Sequence, residues 1–469
     1  MADAPPASPA ASGGDVPLPA LRIVRAGSAG AAALLRRIPL DEMATDAMVA
    51  AQTEQVFGEA LTPEQFVERV LREVRQGGDA ALRKLSQRLE GTAPESLETP
   101  RSEIEAAYRE VSPQFVADLR VAAERVAAFH QQQRRGSWID FEEGTGQMVR
   151  PLQRVGLYAP AGRAAYPSSV IMSAVVARVA GVDEVLLCTP PQRNGRQRPE
   201  MLVAADVAGV HRVFKVGGAQ AIIALAYGTE TVPRVDKILG PGNIFVVLAK
   251  RRVFGTVDID QLPGPTETLV LADDTADADE VAADLLAQAE HDPLATPLLL
   301  ATSEALAQRV QIAVERQLVT LPTAETARAA LANRGGAVVV GTVEEGLRLA
   351  NAFAPEHLCL LIRDPWSHVG QVRHAGGVFV GSSSPEAAGD YVAGPSHIMP
   401  TAGTARFASP LSVDDFVKIV SVVGLTPARL AQIGPAAARL ARVEGFEAHA
   451  RAVEARLAGG PAAPRSEPT

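Results

Sequence analysis

Short apolar runs alternate along most of the chain with longer stretches in which apolar residues recur every three or four positions. The first pattern predicts buried strands and the second predicts helices. One strand–helix series runs over residues 154–264, and a second runs over residues 265–410. Because strands separated by helices require crossover connections, each series predicts a parallel sheet. The sequence therefore predicts an α/β protein with two doubly wound, Rossmann-like parallel-sheet domains.

The apolar runs indicate the strands of each series. The first series contains RVGLYAP, DEVLLCTPP, HRVFKVGG and VDKILGPGN. The second series contains TETLVLADD, TPLLLATS, GGAVVVGT, EHLCLLIRD and AGGVFVGSS. Two similar units in one chain predict a cleft between them, and ligands commonly bind in such clefts.

The regions that flank the two series are predicted to be helical or irregular. The first predicted helix begins with Thr62 as its N-cap and ends at Gly77 and Gly78. The chain after Leu411 is predicted to be mostly helical. The resulting division is a flexible tail over 1–20, a helical segment with the start of the first α/β domain over 21–153, the second α/β domain over 154–264, the remainder of the first over 265–410, a helical C-terminal arm over 411–458 and a flexible tail over 459–469.

Composition and charge exclude several classes of protein. The 469 residues carry a net charge of −9 and no long basic run, which argues against a nucleic-acid partner. No stretch is apolar and long enough to cross a membrane, and MADAPPASPAASGGD lacks the features of a secretory signal. The two cysteines, Cys188 and Cys359, lie in apolar runs. We therefore expect small core residues, no disulfide framework and a cytoplasmic location.

Two polar pairs at the ends of apolar segments are candidates for metal binding and proton transfer. Gln288 and His291, in LLAQAEHD, lie three residues apart on a predicted helix and project together, as half of a metal site would. The alternative is a histidine that interacts with the last carbonyls of a helix. Glu356 and His357, in APEHLCL, stand at the entry to a buried strand and suit proton transfer. Neighbours on an extended backbone point to opposite sides, and a solvated strand start is the alternative here.

A third pair lies in an irregular, glycine-rich segment. Asp390 and His397 are seven residues apart in SSSPEAAGDYVAGPSHIMPT, where Gly389, Gly394 and Pro395 bend the chain. Such loops often carry functional side chains, although Asp390 as an ordinary turn residue is the alternative.

Two further signals are weaker when each is taken alone. Glu444 and His449, in RVEGFEAHARAVEAR, lie five residues apart on a predicted helix, near opposite edges of its apolar stripe, and suit a solvated helix equally well. The segments KVGGAQA and LGPGN provide glycine-rich turns between strand and helix, where a helix N-terminus suits a phosphate group. The usual dinucleotide fingerprint G-x-G-x-x-G is absent, and so is a Walker A motif.

Taken together and in order, these segments resemble the histidinol dehydrogenase family over about four-fifths of the chain. The matching segments are VGLYAPAGRAAYPSSVIM, KVGGAQAIIALAYGTETVPRVDKILGPGN, GPTETLVLAD, DLLAQAEHD, APEHL, GDYVAGPSHIMPT and EGFEAHARAVEAR. The resemblance implies one Zn²⁺ per active site. The implied zinc ligands are Gln288, His291, Asp390 and His449. It also implies a homodimer in which the C-terminal arm carries Glu444 and His449 into the active site of the partner subunit.

The resemblance further implies oxidation of L-histidinol through L-histidinal to L-histidine, the last steps of histidine biosynthesis. NAD would bind on the side of the 154–264 domain. Its implied contacts are Tyr158, Gln220 and Asn243. The substrate would be bound by Thr266, Glu444 and the zinc-site residues together with His357, in and around the 265–410 region.

The resemblance also assigns the catalytic steps. His357 would remove the hydroxyl proton as the alcohol loses hydride. Glu356 would activate water for the second oxidation, and His397 would hydrogen-bond the reacting oxygens. The zinc ion would act mainly as a template that holds the imidazole and amine of the substrate.

This chain departs from the usual family pattern at three segments. They are YAPAGR, which contains Arg163, GPSH, in which Ser396 precedes His397, and QLPGPTE. These departures keep a second hypothesis open, in which a relative oxidises a different polar alcohol. The chemistry of zinc with Glu356 also allows a metal-dependent hydrolase. A binding protein without turnover is the remaining alternative, against which the Glu356–His357 pair argues.

Overall fold

The computed structural model describes residues 20–37, 53–54, 57–161 and 165–458. Arg163 and almost all of the two predicted tails lie outside these residues. The chain divides into two compact units. The first contains the described residues up to Arg69, Pro241–Arg252 and Gln261–Pro410, and the second contains Val70–Gly240, Val253–Asp260 and the described residues from Leu411 onward.

The elements of both units are numbered here in chain order. The strands are β1 Ile23–Arg25, β2 Trp138–Asp140, β3 Thr145–Pro151, β4 Arg154–Tyr158, β5 Glu184–Cys188, β6 Arg212–Phe214, β7 Lys237–Leu239, β8 Asp258–Ile259, β9 Glu267–Ala272, β10 Thr296–Ala301, β11 Gly336–Val339, β12 His357–Leu361, β13 Gly377–Val380 and β14 Val417–Val423. The helices are α1 Ala29–Leu34, α2 Pro63–Leu89, α3 Arg101–Ala107, α4 Pro113–Gln131, α5 Pro167–Ala180, α6 Pro199–Val207, α7 Gly218–Tyr227, α8 Ile244–Val253, α9 Ala278–Ala289, α10 Glu304–Leu318, α11 Ala324–Arg334, α12 Val343–Phe353, α13 Glu386–Tyr391, α14 Pro427–Val443 and α15 Glu447–Ala458.

The first unit is built on a parallel sheet covered on both faces. Among the described residues its strand order is β1-β11-β10-β9-β12-β13, and every pairing is parallel. Alternate residues of β9 supply the two cores: Val270 packs with Leu285 on one face, and Leu271 packs with Leu347 on the other. Strands β9, β10 and β12 are buried along their whole length, which explains their continuous apolar runs.

The second unit contains a sheet of the same kind. In the described part of the chain its order is β6-β5-β4-β7-β8, again with every pairing parallel. From β4 the chain adds β5 and β6 on one side and then crosses to add β7 and β8 on the other. From β9 it likewise adds β10 and β11 on one side and then crosses to add β12 and β13 on the other. This change of direction falls between β4 and β7 in the second unit and between β9 and β12 in the first. The prediction of two doubly wound, Rossmann-like units is therefore confirmed.

The C-terminal arm contains a strand that we did not predict. A 3₁₀ turn, Val413–Phe416, leads into β14, which pairs antiparallel with β3 in a small sheet of order β14-β3-β2. The prediction that the chain after Leu411 is mostly helical is thus wrong for β14 and correct for α14 and α15. The run VKIVSVV of β14 is rich in β-branched residues, which favour strands.

Helix α2 begins as predicted, and its first helical segment ends at the predicted glycines. The backbone N–H of Gln65 donates to Thr62 Oγ1 at 3.2 Å, so Thr62 is the N-cap. At Gly78 the backbone turns to φ 49° and ψ −133°, and helix resumes to Leu89. The adjacent N–H of Asp79 donates to the Glu230 carboxylate at 2.7 Å, which satisfies a donor freed by the kink. The predicted end at Gly77 and Gly78 is therefore confirmed, and a second helical segment follows it directly.

Two other predictions about the chain are tested by the described residues. Cys188 and Cys359 are both buried free thiols, as expected of small core residues. None of the described helices combines the length and apolarity that a membrane crossing requires.

Candidate active site

The candidate catalytic residues lie at the amino ends of β9 and β12, the two strands at which the first sheet changes direction. Thr266 immediately precedes β9, Glu356 immediately precedes β12, and His357 is the first residue of β12. The two strands are neighbours, with His357 opposite Thr268. Ligands of doubly wound sheets usually bind at the carboxyl ends of the strands. This site occupies the opposite edge.

Glu356 is a buried carboxyl group held by two hydrogen bonds. Its Oε2 accepts from Thr266 Oγ1 at 2.6 Å and from the backbone N–H of Glu267 at 2.9 Å. Burial raises the pKa of Glu356 to about 7, although the charge of His357 and these hydrogen bonds oppose the rise. A carboxyl group with a pKa near neutrality is well suited to exchanging a proton with water.

The imidazole of His357 is fixed in one orientation. Its Nδ1 donates to the backbone carbonyl of Glu267 at 2.9 Å, so Nε2 is the nitrogen available to accept a proton. Nε2 is buried, and no described residue forms a hydrogen bond with it. Burial lowers the pKa of His357, but the negative charges of Glu386, Glu356 and Asp390 outweigh that effect and raise it to about 9. With three carboxylates around it, the His357 ring is placed to receive a proton and to lie opposite a bound cation.

Glu356 and His357 point to the same region. Glu356 Oε2 lies 3.7 Å from His357 Nδ1. The expectation that these neighbours point to opposite sides of an extended backbone is therefore wrong. Glu356 precedes the strand, and the alternation of side chains applies only within it.

The candidate metal ligands of the first unit are placed by two helix ends. Gln288 is buried near the end of α9, whereas His291 lies beyond the end of that helix and is exposed. The expectation that this pair projects together from one helix is thus wrong, because α9 ends between them. Asp390 is on α13, and its backbone carbonyl accepts a hydrogen bond from His397 Nδ1 at 2.8 Å. Burial lowers the pKa of His397, the charge of Asp390 opposes this, and the charge of His291 adds to the lowering.

Glu386 is a polar residue of this cluster that sequence reasoning missed. It is 1% exposed, its Oε1 lies 3.5 Å from His357 Nδ1, and burial raises its pKa to about 8. When the amide of Gln288 is oriented with its nitrogen toward Glu386, the two form a hydrogen bond of 2.5 Å. In the sequence Glu386 follows a proline at the start of a helix, where an acid is ordinarily explained by the helix dipole. The pattern therefore contained no signal for a buried acid.

Ser396, one of the departures from the family pattern, is buried beside this cluster. Its hydroxyl accepts from the backbone N–H of Ile398 at 3.2 Å. The departure is thus accommodated in a turn, and His397 keeps its hydrogen bond to Asp390.

Glu444 and His449 lie on the α14–α15 hairpin of the second unit. Glu444 is the C-cap of α14, and Gly445 follows with φ 84° before α15 begins. The prediction of a single helix through both residues is wrong, because this glycine adopts a left-handed conformation that breaks the helix. Both side chains are exposed and line one surface hollow of about 650 Å³ together with Leu440 and Val453.

Tyr158 and Gln220 lie at the carboxyl edge of the second sheet. Tyr158 ends β4, and its hydroxyl accepts from the backbone N–H of Gly218, the first residue of α7, at 3.1 Å. Gln220 is fully buried, and its Oε1 has no hydrogen-bond partner among the described residues. Gly240, after β7, has φ 119°, and a side chain there would collide with the carbonyl of Tyr158. The edge at which this sheet changes direction is therefore kept free of side-chain bulk.

Asn243 belongs to the first unit, at the start of α8. Its Oδ1 accepts from the backbone N–H groups of Phe245 at 3.1 Å and Val246 at 3.2 Å. The side chain thus caps the helix, and Asn243 is exposed to solvent.

Comparison with known proteins decides the family. Residues 57–457 match the family model for histidinol dehydrogenase. The chain belongs to the histidinol dehydrogenase family. A histidinol dehydrogenase from Deinococcus radiodurans is 56% identical over 413 residues, which cover 87% of this chain and 94% of the relative. Another, from Moorella thermoacetica, is 51% identical over 395 residues, which cover 83% and 93%.

A solved structure agrees with the sequence relatives. The crystal structure of histidinol dehydrogenase from Elizabethkingia anophelis has a TM-score of 0.86 and 33% identity to this chain, and the alignment covers 94% of this chain and 98% of that one. The family resemblance inferred from the sequence is therefore confirmed. Membership of this family identifies the protein as an enzyme, an oxidoreductase.

Within the described residues, no three histidine, cysteine, aspartate or glutamate side chains converge as a metal site would require. The ligand set predicted from the sequence contains only two such side chains in the first unit. In the first unit it supplies one imidazole, His291, one carboxylate, Asp390, and the amide of Gln288. The fourth ligand, His449, belongs to the second unit and was predicted to come from a partner subunit.

Proposed function

We propose that this protein oxidises L-histidinol through L-histidinal to L-histidine, with NAD as the hydride acceptor and one zinc ion in each active site. The observation that carries the proposal is the arrangement of Glu356 and His357. One buried carboxyl and one oriented imidazole with an unpartnered Nε2 meet at the same sheet edge. Membership of the histidinol dehydrogenase family supports the choice of substrate.

The charge of the site fits a cationic group. The carboxylates of Glu356, Glu386 and Asp390 lie within 3.8 Å of the His357 ring nitrogens. Three acids around one imidazole leave an excess of negative charge that a metal ion or an ammonium group would balance. His357 therefore marks the place at which a cationic substrate is expected.

The donor atoms of the first unit also fit zinc. Amide, imidazole and carboxylate groups are supplied by Gln288, His291 and Asp390, and imidazole and carboxylate are common zinc donors. When bound, zinc supplies a Lewis acid that holds the imidazole and amine of the substrate. We assign the fourth ligand to His449, with Glu444 as a further substrate contact.

We propose that Glu444 and His449 act in the active site of a second copy of the chain, so that the enzyme works as a homodimer. Both residues are exposed on the α14–α15 hairpin and line one hollow. An imidazole and a carboxylate that face solvent together are available to complete a site on another molecule.

The carboxyl edge of the second sheet fits a dinucleotide. Gly217 and Gly218 open α7, and side chains at these positions would collide with Pro190 and Gln220. Backbone N–H groups at a helix N-terminus bind phosphate, and glycine permits close approach. Tyr158 and the unpartnered Oε1 of Gln220 lie at the same turn. When bound, NAD supplies the carbon that accepts hydride, and we assign Asn243 as a further contact.

His357 performs the first proton transfer. Its Nε2 accepts the hydroxyl proton of the alcohol while a hydride leaves the carbon that bears this hydroxyl group, which gives the aldehyde. The positive charge of a bound amino alcohol opposes a second positive charge on His357, so the ring is neutral when the substrate is present. His397 lies near the carboxylate of Asp390 and is assigned to hydrogen-bond the reacting oxygen.

Glu356 performs the step that the second oxidation requires. An aldehyde yields a second hydride only after water has added to its carbonyl carbon. Glu356 removes a proton from that water, and Thr266 and the Glu267 N–H hold the carboxylate in place. Once His357 has released its first proton to solvent, the hydrated aldehyde loses a hydride to a second NAD and a hydroxyl proton to His357, which gives the carboxylic acid.

The test is NADH formation from L-histidinol and NAD by zinc-loaded and chelator-stripped protein. We expect two NADH per histidinol, histidine as the product, and loss of activity on stripping that zinc restores. Glu356→Gln is expected to oxidise histidinol but to lose histidinal oxidation by about 10²–10⁴-fold, the usual contribution of a general base. His357→Asn should lose both steps, and His368→Asn, a half-buried imidazole elsewhere in the first unit, serves as the matched control.

Absence of turnover by the zinc-loaded protein would refute the histidinol assignment. NADH formation from a different amino alcohol would then support the hypothesis of a relative with another substrate. Equal loss of both oxidation steps in Glu356→Gln would refute the separate role given to Glu356.

A further inference from the structure

The backbone of one residue, Glu267, holds both catalytic side chains. The backbone N–H of Glu267 donates to Glu356 Oε2 at 2.9 Å, and the backbone carbonyl of Glu267 accepts from His357 Nδ1 at 2.9 Å. A change of the backbone at Glu267 therefore disturbs a hydrogen bond of the carboxylate, of the imidazole, or of both. The position of Glu267 sets the geometry of the pair.

The side chain of Glu267 is fixed by groups distant in the sequence. It is 2% exposed and forms a salt bridge with Arg37. The same carboxylate accepts from the backbone N–H of Ala402 at 3.0 Å. A buried carboxylate held from two directions cannot change rotamer without losing a charged hydrogen bond.

Arg37 also holds the backbone that leads into Glu356. Its Nε donates to the carbonyl of Phe353 at 2.8 Å, and one terminal nitrogen donates to the carbonyl of Ala354 at 2.8 Å. The guanidinium carbon lies 3.6 Å from the centroid of the Phe353 ring. Ala354 has φ 54°, a left-handed conformation that is unfavourable for alanine and must be held by its surroundings.

We propose that Arg37, acting through Glu267, is a positioning residue for the oxidation carried out at Glu356 and His357. The Arg37 guanidinium binds the Glu267 carboxylate at the start of β9. It also donates to the carbonyls of Phe353 and Ala354 in the turn before β12, and so links the two segments. The inference rests on the proposed function, since it concerns the residues to which that function assigns the chemistry. The planar fork of five N–H donors meets these three acceptors together, which a lysine ammonium cannot do with the same geometry.

The experiment compares full-length variants at the two ends of the salt bridge. Arg37→Ala and Glu267→Gln each remove one partner, and Arg37→Lys keeps the charge but loses the fork. Arg25→Ala is the matched control, because Arg25 forms an exposed salt bridge with Glu304 in the same unit. Steady-state rates with histidinol and NAD, and melting temperatures, are measured for each.

We expect Arg37→Ala to lower kcat by about 10²-fold, the loss that a displacement of about 1 Å at a reacting group produces. The KM for NAD should stay within about threefold of the wild-type value, because the hydrogen bonds of Arg37 go to Glu267, Phe353 and Ala354 and to none of the residues assigned to NAD. Methylguanidine in solution should restore kcat of Arg37→Ala by at least about tenfold, because the side chain is 24% exposed and its site is therefore accessible. Methylguanidine should not restore the kcat of Glu267→Gln. The kcat of Arg25→Ala should equal that of the wild type.

A spectroscopic measurement separates this inference from the proposed function. In protein labelled with ¹⁵N-histidine, the His357 signal is identified by its loss in His357→Asn. When the ring is neutral, the wild type should show the tautomer protonated at Nδ1, and Arg37→Ala should show a mixture of the two tautomers. A wild type that does not oxidise histidinol would refute the function, and this spectrum would still decide the inference. Folded Arg37→Ala with wild-type kcat, or with an unchanged His357 signal, would overturn it.

Discussion

Glu90 allows the energetic cost of a buried acid to be tested in the second unit. Its Oε1 accepts from Gln220 Nε2 at 3.0 Å, and the carboxyl group lies under the Gly217 turn. Burial raises the pKa of Glu90 to about 7, although the hydrogen bond from Gln220 lowers it in part. The change we consider is Glu90→Gln, which keeps the shape and the oxygen acceptor but cannot ionise.

The magnitude follows from the difference between the folded and unfolded pKa values. A rise of the pKa from 4.5 to about 7 corresponds to a loss of about 3 kcal/mol in the free energy of unfolding when Glu90 is ionised. Below pH 4.5 both states are protonated, and Glu90 contributes no pH dependence. Between pH 4.5 and 7 the unfolded chain releases a proton that the folded chain retains, so the stability of the wild type falls with rising pH. Above pH 7 the penalty is constant. Partial exposure of the residue reduces the expected penalty to about 1–3 kcal/mol.

The assay is the melting temperature of wild type and Glu90→Gln at pH 5, 6, 7 and 8. The variant should gain stability relative to the wild type as the pH rises to 7, by about 2–4 °C per kcal/mol for a unit of this size. Glu124→Gln, at an exposed position on α4, is the control and should show no such trend. A difference between Glu90→Gln and wild type that is the same at pH 5 and pH 8 would refute the reasoning, because it would mean that Glu90 is ionised in the folded protein.

Three further predictions concern the two sheet edges. Glu386→Gln removes a negative charge that raises the pKa of His357, so the acidic limb of the kcat/KM profile should move to lower pH; an unmoved limb would contradict this. Thr266→Val removes the 2.6 Å hydrogen bond to Glu356 and should slow histidinal oxidation more than histidinol oxidation in single-turnover measurements, whereas equal effects would argue against that contact. Gly240→Ala introduces a side chain at φ 119° against the Tyr158 carbonyl, and should lower the melting temperature by several °C and weaken NAD binding measured by calorimetry; wild-type values for both would show that the turn adapts.

The central parallel strands were predictable because they are buried on both faces. Their sequences, such as TPLLLA in β10, are continuous apolar runs bounded by polar residues. Strands outside this environment were missed. β1 has only three residues, and β14 is mostly exposed on a small antiparallel sheet, so neither has the burial that makes a run stand out. Position in the tertiary structure, and not local propensity, decides these elements.

The candidate site was predictable where motif order carries information and not where contacts are remote. The family resemblance assigned Glu356 and His357. It did not assign Glu386 or Arg37, whose roles arise from packing against residues distant in the chain. Arg37 lies 230 residues before Glu267, and Glu386 lies in the first turn of a short helix. No periodicity or spacing in the sequence connects either residue to the site. Only the fold brings these charges together.

The two units share a topology but offer opposite edges of their sheets to the proposed ligands, and helix polarity accounts for the choice. At the amino edge of the first sheet, α9 ends near Gln288 and His291, so the negative end of a helix dipole adds to the charge of the surrounding carboxylates. That edge suits zinc and an amino alcohol. At the carboxyl edge of the second sheet, α7 begins at Gly218 beside Tyr158, and a helix N-terminus suits the phosphates of NAD. A duplicated fold can therefore serve a cation and an anion, because each edge of a doubly wound sheet collects helix ends of one sign.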